Sequence, residues 1–103
     1  MSHLLDLEAA RSKAQLSACE ILGHLYSGAP ADVLEAKYVE AEHCWMFFRN
    51  RSIYIPPEQV LRTFAYVVSK RGGGRLVPDY WDDPIGMAEY LQRISDYLAT
   101  HDA

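Results

Sequence analysis

The stretch Phe64-Ala-Tyr-Val-Val-Ser-Lys-Arg-Gly-Gly-Gly-Arg-Leu-Val-Pro78 decides the fold of this chain. Its aromatic and β-branched first part, residues 64 to 68, is typical of a strand, and Arg75 to Trp81 predicts a second one. The glycine run between them supplies the backbone freedom that a tight antiparallel connection needs. Because Pro78 lacks an amide donor, the second strand should lie at a sheet edge or stop near that residue.

A second pair of strands is predicted on the N-terminal side of this hairpin. Apolar and polar residues alternate from Leu34 to Val39, and an aromatic-rich run follows from Cys44 to Phe48. A turn around Glu40 to His43 would join the two into an antiparallel hairpin. Helix is the rival interpretation of residues 32 to 42, because Ala, Glu and Leu are also good helix formers.

A helix is predicted at each end of the chain. Apolar residues between Leu4 and about Ser27 recur at spacings of three and four, and the segment Gly28 to Pro30 is a stop signal. The second helix starts with Pro84 after a cap at Asp82 or Asp83, and it runs to about Thr100. Its apolar seam consists of Met87, Leu91, Ile94 and Leu98.

These elements predict a single α+β domain over residues 1 to 103. A chain of 103 residues has no room for a second independent core. A small antiparallel sheet cannot bury its apolar face alone, so the helices should pack on it. The expected architecture is a two-layer domain made of an N-terminal helix, a four-stranded antiparallel sheet and a C-terminal helix.

Composition and charge favour a protein partner over nucleic acid or membrane. The formal net charge is -4, with 50% hydrophobic and 23% charged residues, as in an ordinary soluble domain. An acidic surface is poorly suited to nucleic acid or anionic lipid, and it suits a basic protein better. No apolar run approaches the roughly 18 residues of a membrane span, and no signal peptide is recognisable. We therefore expect a cytoplasmic protein.

No catalytic or metal-binding signature stands out in the sequence. The glycines at 72 to 74 lead into a strand, whereas phosphate sites form at helix N-termini. His43 and Cys44 are adjacent in a predicted strand and should point to opposite faces, which argues against a nucleophile pair. None of the four histidines has a ligand partner at metal-site spacing. We expect a protein that is not an enzyme and that needs no cofactor or metal.

Asp79, Asp82 and Asp83 form the one dense group of carboxylates. Three interpretations stay open for them: a site for a hard cation, a helix cap with the other carboxylates solvated, or an acidic contact surface. In the third, Tyr80 and Trp81 would be the anchors, because aromatic residues are common interface hot spots.

Several short motifs together resemble the immunity protein 35 family. They are Trp45-x-Phe47 in a strand, Ala65-Tyr-Val-Val-Ser-Lys70, the glycine turn, Arg75-Leu-Val77 and Asp83-Pro-Ile-Gly-Met-Ala-Glu-Tyr-Leu91, within residues 44 to 98. The resemblance implies a bacterial protein, encoded beside a toxin gene, that binds and neutralises that toxin in the producing cell. No catalytic residue is carried over, since the matched positions are core and turn residues.

The candidate toxin-binding residues are therefore the polar and aromatic residues expected around the turns and at the edge strand. They are Glu40, Glu42, Asp79, Tyr80, Trp81 and Asp82. Their carboxylates would speed encounter with a basic toxin, and a desolvated Trp81 would hold the complex. A small chaperone-like or stress-related binding domain without a toxin partner is the alternative function, and a small enzyme ranks third.

Overall fold

The computed structural model describes residues 4–26, 28–62 and 64–101, and only the backbone of 60–62. Two helices and four strands are present: α1 Leu7–Leu22, β1 Leu34–Glu40, β2 Cys44–Arg49, β3 Phe64–Ser69, β4 Gly74–Pro78 and α2 Pro84–His101. Short 3-10 turns lie at Gly23–Leu25, Pro30–Asp32 and Pro57–Arg62. The predicted α+β class and the predicted order of helix, four strands and helix are confirmed.

The four strands form an antiparallel meander in the order β1-β2-β3-β4. Residues 34 to 40 are a strand and not the rival helix. The β4 strand lies at a sheet edge and ends at Pro78, as the missing amide donor predicted. In the β3–β4 turn Gly72 has a φ of 113°, a conformation that favours glycine.

Side chains of the two central strands point alternately to two separate hydrophobic cores. On β2, Trp45 and Phe47 belong to the core beneath α1, whereas Cys44, Met46 and Phe48 belong to the core beneath α2. All five residues from Cys44 to Phe48 are buried. The helices therefore cover opposite faces of the sheet, and the domain has three layers where we expected two. The expected number of layers was wrong because both faces of the central strands are apolar and each needs a cover.

The first helix is shorter than its apolar spacing predicted. It begins after Asp6, whose Oδ1 accepts a hydrogen bond of 2.8 Å from the Ala9 amide, and it ends at Leu22. Ser27 lies outside the described residues. The buried positions recur every four residues at Ala10, Ala14, Ala18 and Leu22. Three small alanines on this stripe let the helix lie close to β2 and β3.

The second helix matches its prediction more closely. Asp83, not Asp82, is the cap, since its Oδ1 accepts a 3.0 Å hydrogen bond from the Gly86 amide. The buried positions are Met87, Leu91, Ser95 and Leu98, with Ile94 partly buried beside them.

Of the two cysteines, Cys44 is buried under α2, whereas Cys19 is partly buried on the α1 side of the sheet. The sheet therefore separates them and precludes a disulfide between them.

Candidate functional site

The six candidate toxin-binding residues lie at opposite ends of the sheet. Glu40 and Glu42 lie at the turn before β2, next to the β3–β4 turn, where the Lys70 amide donates to the His43 carbonyl over 2.9 Å. Residues 79 to 82 follow β4 at the other end, beside Arg49. The length of β2 separates the two groups by roughly 17 Å, at about 3.3 Å per residue. The structure does not bring the six together in one cluster.

At the turn end, one carboxylate is engaged and the other projects into solvent. Lys70 Nζ lies 2.5 Å from Glu40 Oε2, and this hydrogen bond lowers the pKa of Glu40. Lys70 also lies 5.1 Å from the ring centroid of Trp45, so the ion pair is tied to the core. The Glu42 side chain is 84% exposed and only loosely paired with His43, at 3.9 Å. Glu42 is therefore the residue here that a partner could reach at little cost.

Asp79 organises the other end of the sheet. Its side chain is only 7% exposed, and its Oδ2 lies 2.5 Å from Arg51 Nη2 and 3.7 Å from Arg49 Nε. Its Oδ1 accepts a 2.9 Å hydrogen bond from the Trp81 amide. One carboxylate thus joins the end of β2 to the segment that follows β4. That engagement makes Asp79 a positioning residue in the isolated chain.

Two buried polar groups lie on the α1 side of this end of the sheet. Within the described residues, Arg49 Nε and the Tyr66 hydroxyl have no hydrogen-bond partner. Burial lowers the pKa of Arg49, and the charge of Arg51 acts in the same direction. Burial also raises the pKa of Tyr66 to about 12. The Tyr66 hydroxyl therefore stays protonated at neutral pH.

Trp81 folds back over the α2-side core while staying partly exposed. Its ring meets Phe48 edge-on, with 5.1 Å between ring centroids. Lys37 Nζ and Arg51 Cζ lie 5.1 Å and 4.7 Å from the Trp81 ring centroid, within the range of cation–π attraction. Tyr80 packs against Tyr90 at 5.2 Å. The rings of Trp81 and Tyr80 are thus held in place by contacts within the chain.

An open cleft of about 360 Å³ lies at this end, and we call it the arginine cleft. It is lined by Arg49, Arg51, Pro78, Asp79, Trp81 and Asp82. Asp82 is exposed and plays no part in the helix cap, so its carboxylate can face a partner. Sequence analysis did not identify Arg49 and Arg51 as site residues. A signal was present, because Arg49-Asn-Arg51 directly follows the apolar run Cys44 to Phe48, and basic side chains at the end of a buried strand need carboxylate partners.

The three aspartates that could have bound a cation have different surroundings. Asp79 is paired with arginines, Asp83 caps α2, and Asp82 is solvated. Of the three open interpretations, helix capping is confirmed for Asp83. In the described part of the chain, no group of three or more His, Cys, Asp or Glu residues could hold a metal ion.

Comparisons of the chain with protein-family models, with curated proteins and with solved structures found no match. Among the described helices, none is both long enough and apolar enough to cross a membrane.

Proposed function

We propose that this chain is an immunity protein, a non-catalytic cytoplasmic protein that binds and neutralises a bacterial toxin in the cell that makes it. The resemblance to the immunity protein 35 family supports the toxin part of this proposal. Its motifs fall on β2, β3, β4 and the start of α2, which pack together as one unit.

The observation that carries the binding part is the state of Trp81 and Asp82 in the arginine cleft. Both helices pack their buried apolar residues into the two cores, which favours the ends and edges of the sheet as the contact surface. At this end a partly exposed tryptophan is held in position next to an exposed carboxylate. Binding to Trp81 costs little conformational entropy because the ring is already ordered.

The exposed carboxylates favour a toxin with a basic contact surface. Asp82 lies at the arginine cleft, Glu42 lies at the turn end, and the chain as a whole carries a net charge of -4. Long-range attraction of this kind mainly raises the association rate, and the effect weakens as salt rises.

Co-expression with the product of the neighbouring reading frame tests the proposal. We expect the toxin to arrest growth when expressed alone, and the immunity protein to restore growth and to co-purify with it at a fixed ratio. Charge reversal by Asp82→Arg should weaken the complex at least tenfold at low salt. Glu20→Arg, which makes the same charge change on the exposed side of α1, is the matched control and should bind normally.

Two results would contradict the proposal. One is a chain that neither binds the neighbouring product nor restores growth. The other is a chain that binds many unfolded proteins with similar affinity, which would favour the chaperone-like alternative.

A further inference from the structure

The edge strand β4 has backbone groups that are open to pairing. The Ser69 amide donates to the Gly73 carbonyl over 2.7 Å, and this bond fixes which residues of β4 face β3. By the alternation of an antiparallel ladder, Arg75 and Val77 bond to β3, whereas the amide and carbonyl groups of Gly74 and Leu76 point away from the sheet.

The opposite edge of the sheet is protected against pairing. An irregularity interrupts the register of β1 between Leu34 and Tyr38. Two charged side chains lie there: Glu35 accepts a hydrogen bond from the Arg51 amide, and Lys37 lies over Trp81. Bulges and charges are the usual devices that block edge-to-edge pairing. The β4 edge has a regular register and exposes Leu76 to 44%.

A groove of about 270 Å³ runs beside β4 on the α2 side of the sheet. It is lined by Arg75, Tyr90, Arg93, Ile94 and Tyr97. Tyr97 is 49% exposed, and Arg75 Cζ lies 5.4 Å from its ring centroid. Arg93 is exposed and makes no ion pair with any residue that the structure describes. The floor is thus aromatic and apolar, and two guanidinium groups flank it.

We propose that the β4 edge and this groove, together the β4–α2 surface, bind an extended acidic segment of a protein partner, which adds to the sheet as a fifth strand. This inference rests on the proposed function for the identity of the partner. Main-chain bonds to Gly74 and Leu76 would provide affinity, as in other cases of strand addition. Alternate side chains would point to opposite faces, with acidic ones toward Arg75 and Arg93 and apolar ones toward Leu76.

Charge argues for an acidic segment over a second copy of this chain. Two copies paired through β4 would bring two Arg75 and two Arg93 side chains into one small area, and like charges at close range repel. Pro78 ends the strand and offers no donor, so the added segment spans about four residues.

A peptide titration tests the surface without the toxin. The probe is an eight-residue peptide that alternates glutamate and valine, followed by amide NMR of the full chain. We expect saturable shifts of the Gly74 and Leu76 amides, with a dissociation constant below about 1 mM. Arg93→Glu should weaken binding at least tenfold, whereas Lys13→Glu, the same charge change on α1, should not. A peptide with lysine in place of glutamate should not bind.

Two outcomes would overturn the inference. One is the absence of any shift of the Gly74 and Leu76 amides up to millimolar peptide. The other is shifts that depend on protein concentration alone, which would indicate pairing between copies. Failure of the proposed function looks different. In that case the neighbouring product does not bind the wild-type chain, while the glutamate–valine peptide still does. If the toxin binds and Arg93→Glu leaves its affinity unchanged, the function stands and this surface is not its docking site.

Discussion

Arg51 and Asp79 form an ion pair of 2.5 Å across the end of β3. Arg51 follows β2 and Asp79 follows β4, two strands that are not neighbours in the sheet. The Asp79 carboxylate also accepts a hydrogen bond from the Trp81 amide, and the Arg51 guanidinium lies against the Trp81 ring. The pair therefore fixes the aromatic residue of the candidate site as well as the end of the sheet.

Loss of the Asp79 carboxylate should destabilise the domain. Asp79→Ala leaves two partly buried guanidinium groups without their counter-charge, and breaking a buried pair in this way costs about 3 kcal/mol. Urea unfolding measures the change. Asp82→Ala, which removes an exposed carboxylate at the same cleft, is the control and should change stability by less than about 0.5 kcal/mol. Equal effects of the two substitutions would contradict the anchoring role of Asp79.

The core beneath α2 makes a second stability prediction. Leu91 is 7% exposed and packs in the cluster with Met46, Val67 and Met87. Leu91→Ala should cost about 2–5 kcal/mol, because it removes buried methyl groups and leaves a cavity. Gln92→Ala, on the exposed side of the same helix, controls for helix propensity. A loss below about half a kcal/mol for Leu91→Ala would show that this face is not core.

Alkaline pH should destabilise the protein through Tyr66. Its pKa is raised to about 12 by burial, above the value near 10 expected in the unfolded chain. Below pH 10 the hydroxyl is protonated in both states, and its contribution to stability is fully present. Between pH 10 and about 12 the unfolded chain ionises first, so stability falls by about 2 kcal/mol from this group.

The control for that prediction is Tyr66→Phe, which keeps the buried ring. It should remove this part of the alkaline loss, and at neutral pH it should leave stability unchanged or slightly higher. Unfolding midpoints from pH 8 to 12 for both proteins provide the measurement. Parallel pH profiles for the two proteins would contradict the assignment to Tyr66.

The elements could be predicted from the sequence because their signals are local. Apolar spacing marks α2, the glycine run marks the β3–β4 turn, and Pro78 marks the end of the edge strand. The number of layers was within reach as well. An unbroken apolar run such as Cys44 to Phe48 is typical of a strand covered on both faces, and each covered face needs its own layer.

The candidate site was less predictable because it depends on long-range pairing. The partners of Asp79 are Arg49 and Arg51, about thirty residues earlier in the chain, and sequence spacing does not reveal that contact. The separation of Glu40 and Glu42 from residues 79 to 82 follows from strand directions. That separation could have been derived once a four-stranded meander was predicted.

Under the proposed function, Trp81 and Asp82 should affect binding of a toxin in different ways. Trp81 packs on Phe48 between two cations, so Trp81→Ala should lower stability by about 1–3 kcal/mol, less than the loss of a fully buried ring. It should also raise the dissociation rate of the toxin complex, since an ordered aromatic side chain anchors an interface.

Asp82→Ala should leave stability nearly unchanged and lower the association rate at low salt, because Asp82 is exposed and Asp83 is the helix cap. Stopped-flow kinetics at two salt concentrations, with melting curves for each variant, separates these effects. If Trp81→Ala melts earlier yet binds the toxin as tightly as the wild type does, the ring serves only the core and the arginine cleft is not the binding site.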